Sequence, residues 1–119
     1  MSNSASISRG SAEHYTWGSG CDGWHLVRTP GLSVIQERMP AGTAEVQHRH
    51  ASARQFFFVL TGQLSFDVEG TTHVVNAQAG MEIAPGVAHQ VRNDSRRDVE
   101  FLVVSQPPSH GDREDVSGP

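Results

Sequence analysis

Along most of the chain, apolar residues come in short runs that alternate with polar ones or fill both faces, each run closed by glycine, proline or a polar cluster. Leu64 to Glu69 alternates, with Leu64, Phe66 and Val68 to one side, and Leu32 to Met39 carries β-branched residues at Val34 and Ile35 before Pro40-Ala41-Gly42 breaks it. The same signals predict strands at Trp24 to Thr29, Ala44 to His50, Gln55 to Thr61, Thr72 to Asn76, Met81 to Ala84, His89 to Asn93 and Val99 to Val104. Tyr15 and Trp17, alternating with polar residues, add an edge strand between His14 and Gly23. Pro30-Gly31, Gly70-Thr71 and Pro85-Gly86 read as turns, and Gly62-Gln63 as a tight hairpin. Turn signals at such short, regular intervals argue for an all-β sandwich or barrel.

One run breaks the alternation: Phe56 to Leu60 is apolar on both faces. A strand of that kind must be covered on both sides, one inside a barrel and the other by the chain's own arm or a second subunit, so a homodimer is expected. Residues 1–12 are polar and read as a flexible arm, 13–104 as the folded domain, and 105–119 as an irregular tail. A sharper reading of the tail folds Pro107 to Arg113 back over a barrel edge or mouth.

At 119 residues the chain has room for a single domain with a real core. A net charge of −4 gives no basic footprint for nucleic acid. No stretch approaches the roughly 18 apolar residues of a membrane span, and the start lacks the apolar region of a secretory signal. With the lone Cys21 unable to form an internal disulfide, a cytoplasmic location is expected. Cys21 itself reads as a small packed residue.

The candidate chemistry lies in the histidines. His48 and His50, two apart in an extended strand, point to the same side of a sheet and form half of a metal-ligand arrangement. Gly42, five residues, His48-Arg49-His50, four residues, Gln55, six residues and Gly62 resemble, spacing for spacing, the first motif of the cupin superfamily, with Gln55 in the slot of the acidic ligand. Gly86, two residues, His89, three residues and Asn93 resemble the end of the second motif; its start is looser, with Ala84 in the proline slot beside Pro85 and Gln78 in the first glycine slot.

The resemblance, to small single-domain cupins, spans roughly residues 30–104 and implies a single antiparallel β-barrel of jelly-roll type, the double-stranded β-helix. It also implies metal ligands at His48, His50 and His89, with Gln55 as a fourth ligand or as a bystander to a three-His site. The ion would be one divalent transition metal, since imidazole suits Zn, Fe, Ni, Mn or Cu. A neutral amide in place of a carboxylate leaves the centre with a charge of about +2, which favours an anionic ligand on the metal. Strand parity nominates Phe57, Val59, Phe66 and Val91 as neighbours of the site, chiefly as core fill, and Gln36 and Arg38 as its polar wall. Arg54 falls on the opposite face. His14, His25 and His73 read as structural, and His110 joins the site only if the tail folds back.

Two functions fit. One is a metal-dependent oxygenase, isomerase or lyase acting on a small molecule; the other is a non-catalytic cupin that binds or senses one, with weak metal binding or none.

Overall fold

The computed structural model describes residues 5–109 and 111–116, and His110 therefore lies outside the described residues. Among the described residues, eleven strands follow one another: β1 Glu13–Trp17, β2 Cys21–Thr29, β3 Leu32–Met39, β4 His48–His50, β5 Arg54–Thr61, β6 Gln63–Val68, β7 Thr71–Asn76, β8 Gly80–Ile83, β9 His89–Arg92, β10 Val99–Gln106 and β11 Arg113–Asp115. Among the described residues there is no helix, and so none long and apolar enough to cross a membrane. All ladders are antiparallel. One sheet has the order β1-β2-β3-β10-β5-β8 and the other β11-β4-β9-β6-β7, the two-sheet jelly roll of a double-stranded β-helix.

The core lies between the sheets. Met39, Val59, Val99 and Phe101 from the first meet Leu64, Phe66, Val75 and Val91 from the second, all buried. Phe57 joins the layers, its ring 5.1 Å from that of Phe66 and 6.2 Å from that of Phe101. Cross-strand register explains which side chains share the interior. Ser33, Ser105 and Gln55 form one row, Ile35, Val103 and Phe57 the next, and Glu37, Phe101 and Val59 a third. Tyr15 extends the third row by lying across Gly23, where a Cβ would sit 2.2 Å from its ring.

Two expectations are corrected. Gly62 is no hairpin: β5 pairs with β10 and β8 while β6 pairs with β7 and β9, so the chain changes sheets there. The tail is not wholly irregular, because β11 pairs with β4 through Arg113, Glu114 and Asp115 opposite His50, Arg49 and His48. Within the arm, the Arg9 guanidinium lies 4.0 Å from the Trp24 ring centroid and donates to Glu100 at 2.7 Å. A polar arm lacks apolar surface to bury, but a cation over an aromatic face supplies a local anchor that composition does not reveal.

The corners are held by polar groups. Buried Asn93 donates from Nδ2 to the carbonyls of Met39 at 2.9 Å and Arg97 at 2.7 Å, and its Oδ1 accepts from Ser95. At the sheet change, Gly62 has φ 87°, and a Cβ would lie 2.7 Å from the Asp98 carbonyl oxygen. Gly86 has a similar φ of 81° with open space around it. Gly62→Ala therefore adds a backbone collision to the cost of a left-handed residue and is expected to lower stability by about 2–3 kcal/mol, against about 1 kcal/mol for Gly86→Ala. Urea unfolding of the two variants checks this, and equal losses would remove the collision from the account.

Candidate metal centre

His48 and His50 lie on β4, and His89 is the direct cross-strand partner of His48 on β9. Period-two geometry puts both β4 histidines on the inner face, and the ladder puts His89 beside them. Ring centroids are separated by 4.8 Å for His48 and His50, 4.5 Å for His48 and His89, and 6.0 Å for His50 and His89. One ring nitrogen from each falls within 4.8 Å of the others, and all three residues are buried.

The hydrogen bonds determine which nitrogen is free. Nδ1 of His48 donates to the Val46 carbonyl at 2.8 Å, and Nδ1 of His89 to the Val87 carbonyl at 3.0 Å. Nδ1 of His50 donates to Asp112 Oδ1 at 2.8 Å. A carbonyl or carboxylate oxygen can only accept here, so each Nδ1 carries the proton and each Nε2 keeps its lone pair. Among the described residues, buried His89 Nε2 has no hydrogen-bond partner. Burial holds the His48 imidazolium down to about 4 and lowers that of His89 as well, so these rings stay neutral and able to ligate.

Gln55 enters from β5 on the facing sheet. Its Nε2 donates to Ser105 Oγ at 3.1 Å, while its buried Oε1 has no partner among the described residues. Three imidazole lone pairs within 4.8 Å of one another make a donor set that fits a divalent transition ion, and Gln55 lines the cavity beside them.

Beside the histidines opens a cavity of about 320 Å³. Its wall includes Phe57 and Gln55, the Tyr15 and Trp17 rings, and Arg113 of β11. Val59, Phe66 and Val91 are buried in the core behind it. Gln36 and Arg38 are not in the wall: Gln36 donates to Glu100, and Arg38 pairs with Asp22 and Asp98 on the outer face. The β3 residues in the wall are Ile35 and Glu37, one position away. A strand with apolar residues at adjacent positions, Val34 and Ile35, carries no alternation to fix its parity. Arg54 is outward as expected, 3.5 Å from Glu82.

Two carboxyls face the cavity, those of Glu37 and Glu45. From Ala44 to His48 the chain advances four positions while its partner runs three, from Arg92 to His89. This β-bulge turns Glu45 inward, where Oε1 accepts from the Val91 N–H at 3.2 Å, and leaves Val46 exposed. It also explains why β4 begins at His48 rather than Ala44. Desolvation pushes the Glu37 carboxyl up to about 7, although it touches solvent through the cavity, with the Trp17 indole nearby partly opposing the rise. Glu45 is pushed up to about 8, first by burial and then by Glu37, with Arg113 opposing. The Tyr15 hydroxyl is raised by burial and by Glu37.

Of the remaining candidates, His14 pairs with Asp22 at 2.7 Å, and Cys21 is fully buried with its thiol pushed up by desolvation. Neither belongs to the cavity.

Residues 35–105, more than half of the chain, match the family model described as Cupin domain. The chain belongs to the cupin family. Solved cupin-like folds agree with it over most of their length. The polyketide cyclase RemF from Streptomyces resistomycificus superposes with a TM-score of 0.84 at 14% identity, covering 98% of this chain and 87% of the other. An RmlC-like cupin from Shewanella frigidimarina gives 0.80 at 18% identity, with 91% and 95% covered. A predicted oxalate decarboxylase from Thermotoga maritima gives 0.80 at 16%, with 87% and 100% covered. At these identities the likeness shows the fold. No curated protein matches the sequence.

The raised carboxyl in this cupin has a consequence for stability. Burial moves Glu37 from 4.5 to about 7, so the folded state binds its proton more tightly than the unfolded chain does. Its contribution is complete below about pH 4.5 and is lost as pH rises through about 7. In metal-free protein, Glu37→Gln is expected to flatten the fall in urea midpoint across that window. Parallel wild-type and variant curves would show that Glu37 ionises normally.

Proposed function

We propose that this cupin holds one divalent transition ion through Nε2 of His48, His50 and His89, with Gln55 Oε1 as a fourth ligand, and that it catalyses proton transfer on a small oxygen-rich organic anion. The observation that carries this reading is the convergence of three imidazoles, each with Nδ1 already committed, beside a cavity holding a carboxyl poised near neutrality.

The ion, when bound, supplies Lewis-acid stabilisation of negative charge developing on a substrate oxygen. The chain's own residues account for the rest. The neutral donor set and the Arg113 guanidinium favour an anionic ligand. Trp17, Tyr15 and Phe57 give the cavity an apolar wall that limits water. Glu37, poised near 7, can take a proton from carbon or return one to it at physiological pH. This supports an isomerase or lyase ahead of an oxygenase. Two of the structural neighbours, a polyketide cyclase and a predicted oxalate decarboxylase, differ from one another in activity and choose no substrate.

The first test is metal content. Protein purified without added metal is expected to carry about one equivalent of a transition ion by elemental analysis, on the three-His donor set; His48→Ala and His89→Ala should lose it. Full metal content in His89→Ala would sink the site. The second test uses 2-oxo acids and 1,3-diketones in D2O, read by NMR for exchange at the carbon beside the carbonyl. Glu37→Gln should keep its metal and slow that exchange by about 10²- to 10⁴-fold. Metal binding with no exchange in any of these compounds would favour the binding or sensing role.

A homodimer is part of the same proposal. Register aligns Phe58 with Leu102 and Phe56 with Val104 on the outer face of the six-stranded sheet, where Phe56 is 42% exposed. Phe56→Asp is expected to shift the sedimentation coefficient from dimer to monomer while metal content stays unchanged. A wild-type monomer at micromolar concentration would overturn it.

A further inference from the structure

The cupin match ends at residue 105, yet one of the three histidines is oriented by a residue beyond it. After β10 the chain turns back across the mouth of the site and lays β11 along β4, so that Arg113 pairs with His50. Asp112 stands at the start of this return. Its own carbonyl accepts from the Ala51 N–H at 3.2 Å, and its N–H donates to the Ser109 carbonyl at 3.3 Å.

The carboxylate does two jobs at once. Oδ1 accepts from His50 Nδ1 at 2.8 Å, while Oδ2 accepts from the backbone N–H groups of Ser52 at 2.9 Å and Ala53 at 3.0 Å. Those two N–H groups sit where the chain passes from β4 to β5, which carries Gln55. One side chain thus ties a histidine ring and the sheet-changing loop to the same point.

His48 and His89 need no such help. Each donates Nδ1–H to the carbonyl two residues before it, Val46 and Val87, so local backbone sets its tautomer. At His50 the acceptor instead comes from the C-terminal return.

We propose that Asp112 is a positioning residue that holds His50 in the tautomer with a free Nε2, making the C-terminal return part of the metal centre. The inference rests on the three-His reading above. A carboxylate behind a ligating imidazole fixes the ring and raises its basicity, and removing such a group costs about 10- to 100-fold in metal affinity.

Asparagine separates this role from a structural one. An amide has one acceptor and one donor group. Keeping its oxygen on the Ser52 and Ala53 N–H groups preserves two hydrogen bonds and turns NH2 toward His50 Nδ1, which must then accept. The proton moves to Nε2, and the lone pair the ion requires is gone. The reverse orientation would set NH2 against two backbone donors and is disfavoured.

The probe is Co(II) alone, titrated into chelator-stripped full-length protein and followed by its visible absorption. Wild type should bind one equivalent. D112N should keep the wild-type circular dichroism and thermal midpoint without metal, bind Co(II) about 10- to 100-fold more weakly, and give an altered visible band. D112E, which restores an acceptor, should recover part of the affinity. Wild-type affinity and an unchanged band in D112N would overturn the proposal and leave the three-His site standing. So would a lowered thermal midpoint in D112N with affinity falling only with the folded fraction, the signature of a loop cap. A wild type that takes up no Co(II) would overturn both the proposal and the three-His site beneath it.

Discussion

Everything at the site depends on where three Nδ1 protons go. Imidazole has two nitrogens, and a ring that can turn or change tautomer is a poor ligand. Here each Nδ1 is taken by an oxygen that can only accept, and the strand ladder holds the rings at 4.5 to 6.0 Å from one another. The ladder alone would bring three histidines together without choosing which atoms meet. The anchors alone would orient rings that never converged. The fold supplies both because the carbonyls of Val46 and Val87 lie two residues before their histidines, at the point where each strand begins.

The parts legible in sequence are those that depend on local spacing. His48 and His50 share a face because strands have period two, and turn residues marked strand ends to within a few positions. The parts that were not legible depend on parity and on distant partners. Glu37 is inward and Gln36 and Arg38 outward because β3 pairs with β10 in a particular register, and apolar residues at both Val34 and Ile35 conceal it. Glu45 reaches the cavity only through a bulge against β9, an insertion visible in the pairing of two strands and in neither strand alone. Asp112 is 62 positions from His50, in a stretch whose prolines and glycine conceal a short strand.

The two-faced strand β5 shows how one sequence feature answers two demands. Its inner residues, Gln55, Phe57 and Val59, carry in turn a candidate ligand, the wall between cavity and core, and the core itself. Its outer residues continue an apolar surface that the chain covers elsewhere with Arg9 on Trp24. An arm anchored at Trp24 leaves Phe56 exposed at the other side of the same sheet. The same alternation that delivers Gln55 to the cavity therefore leaves Phe56 on the exposed face.

Gln55 then makes sense as more than a weakened glutamate. A buried carboxylate facing Glu37 and Glu45 would put three acids around one cavity, and each would raise the others by like-charge repulsion. The amide avoids that while keeping an oxygen in place, and Ser105 takes its N–H so that the oxygen is the free end. A buried oxygen without a hydrogen bond costs about 1–3 kcal/mol, and the buried Nε2 of His89 adds a second such atom. On the proposed reading, a cation accepting the two lone pairs would recover both costs, and metal binding and folding stability would then be coupled through the same atoms. A neutral donor set would make that coupling weaker for the bare ion than a carboxylate would, and stronger for an ion that arrives with, or recruits, an anion.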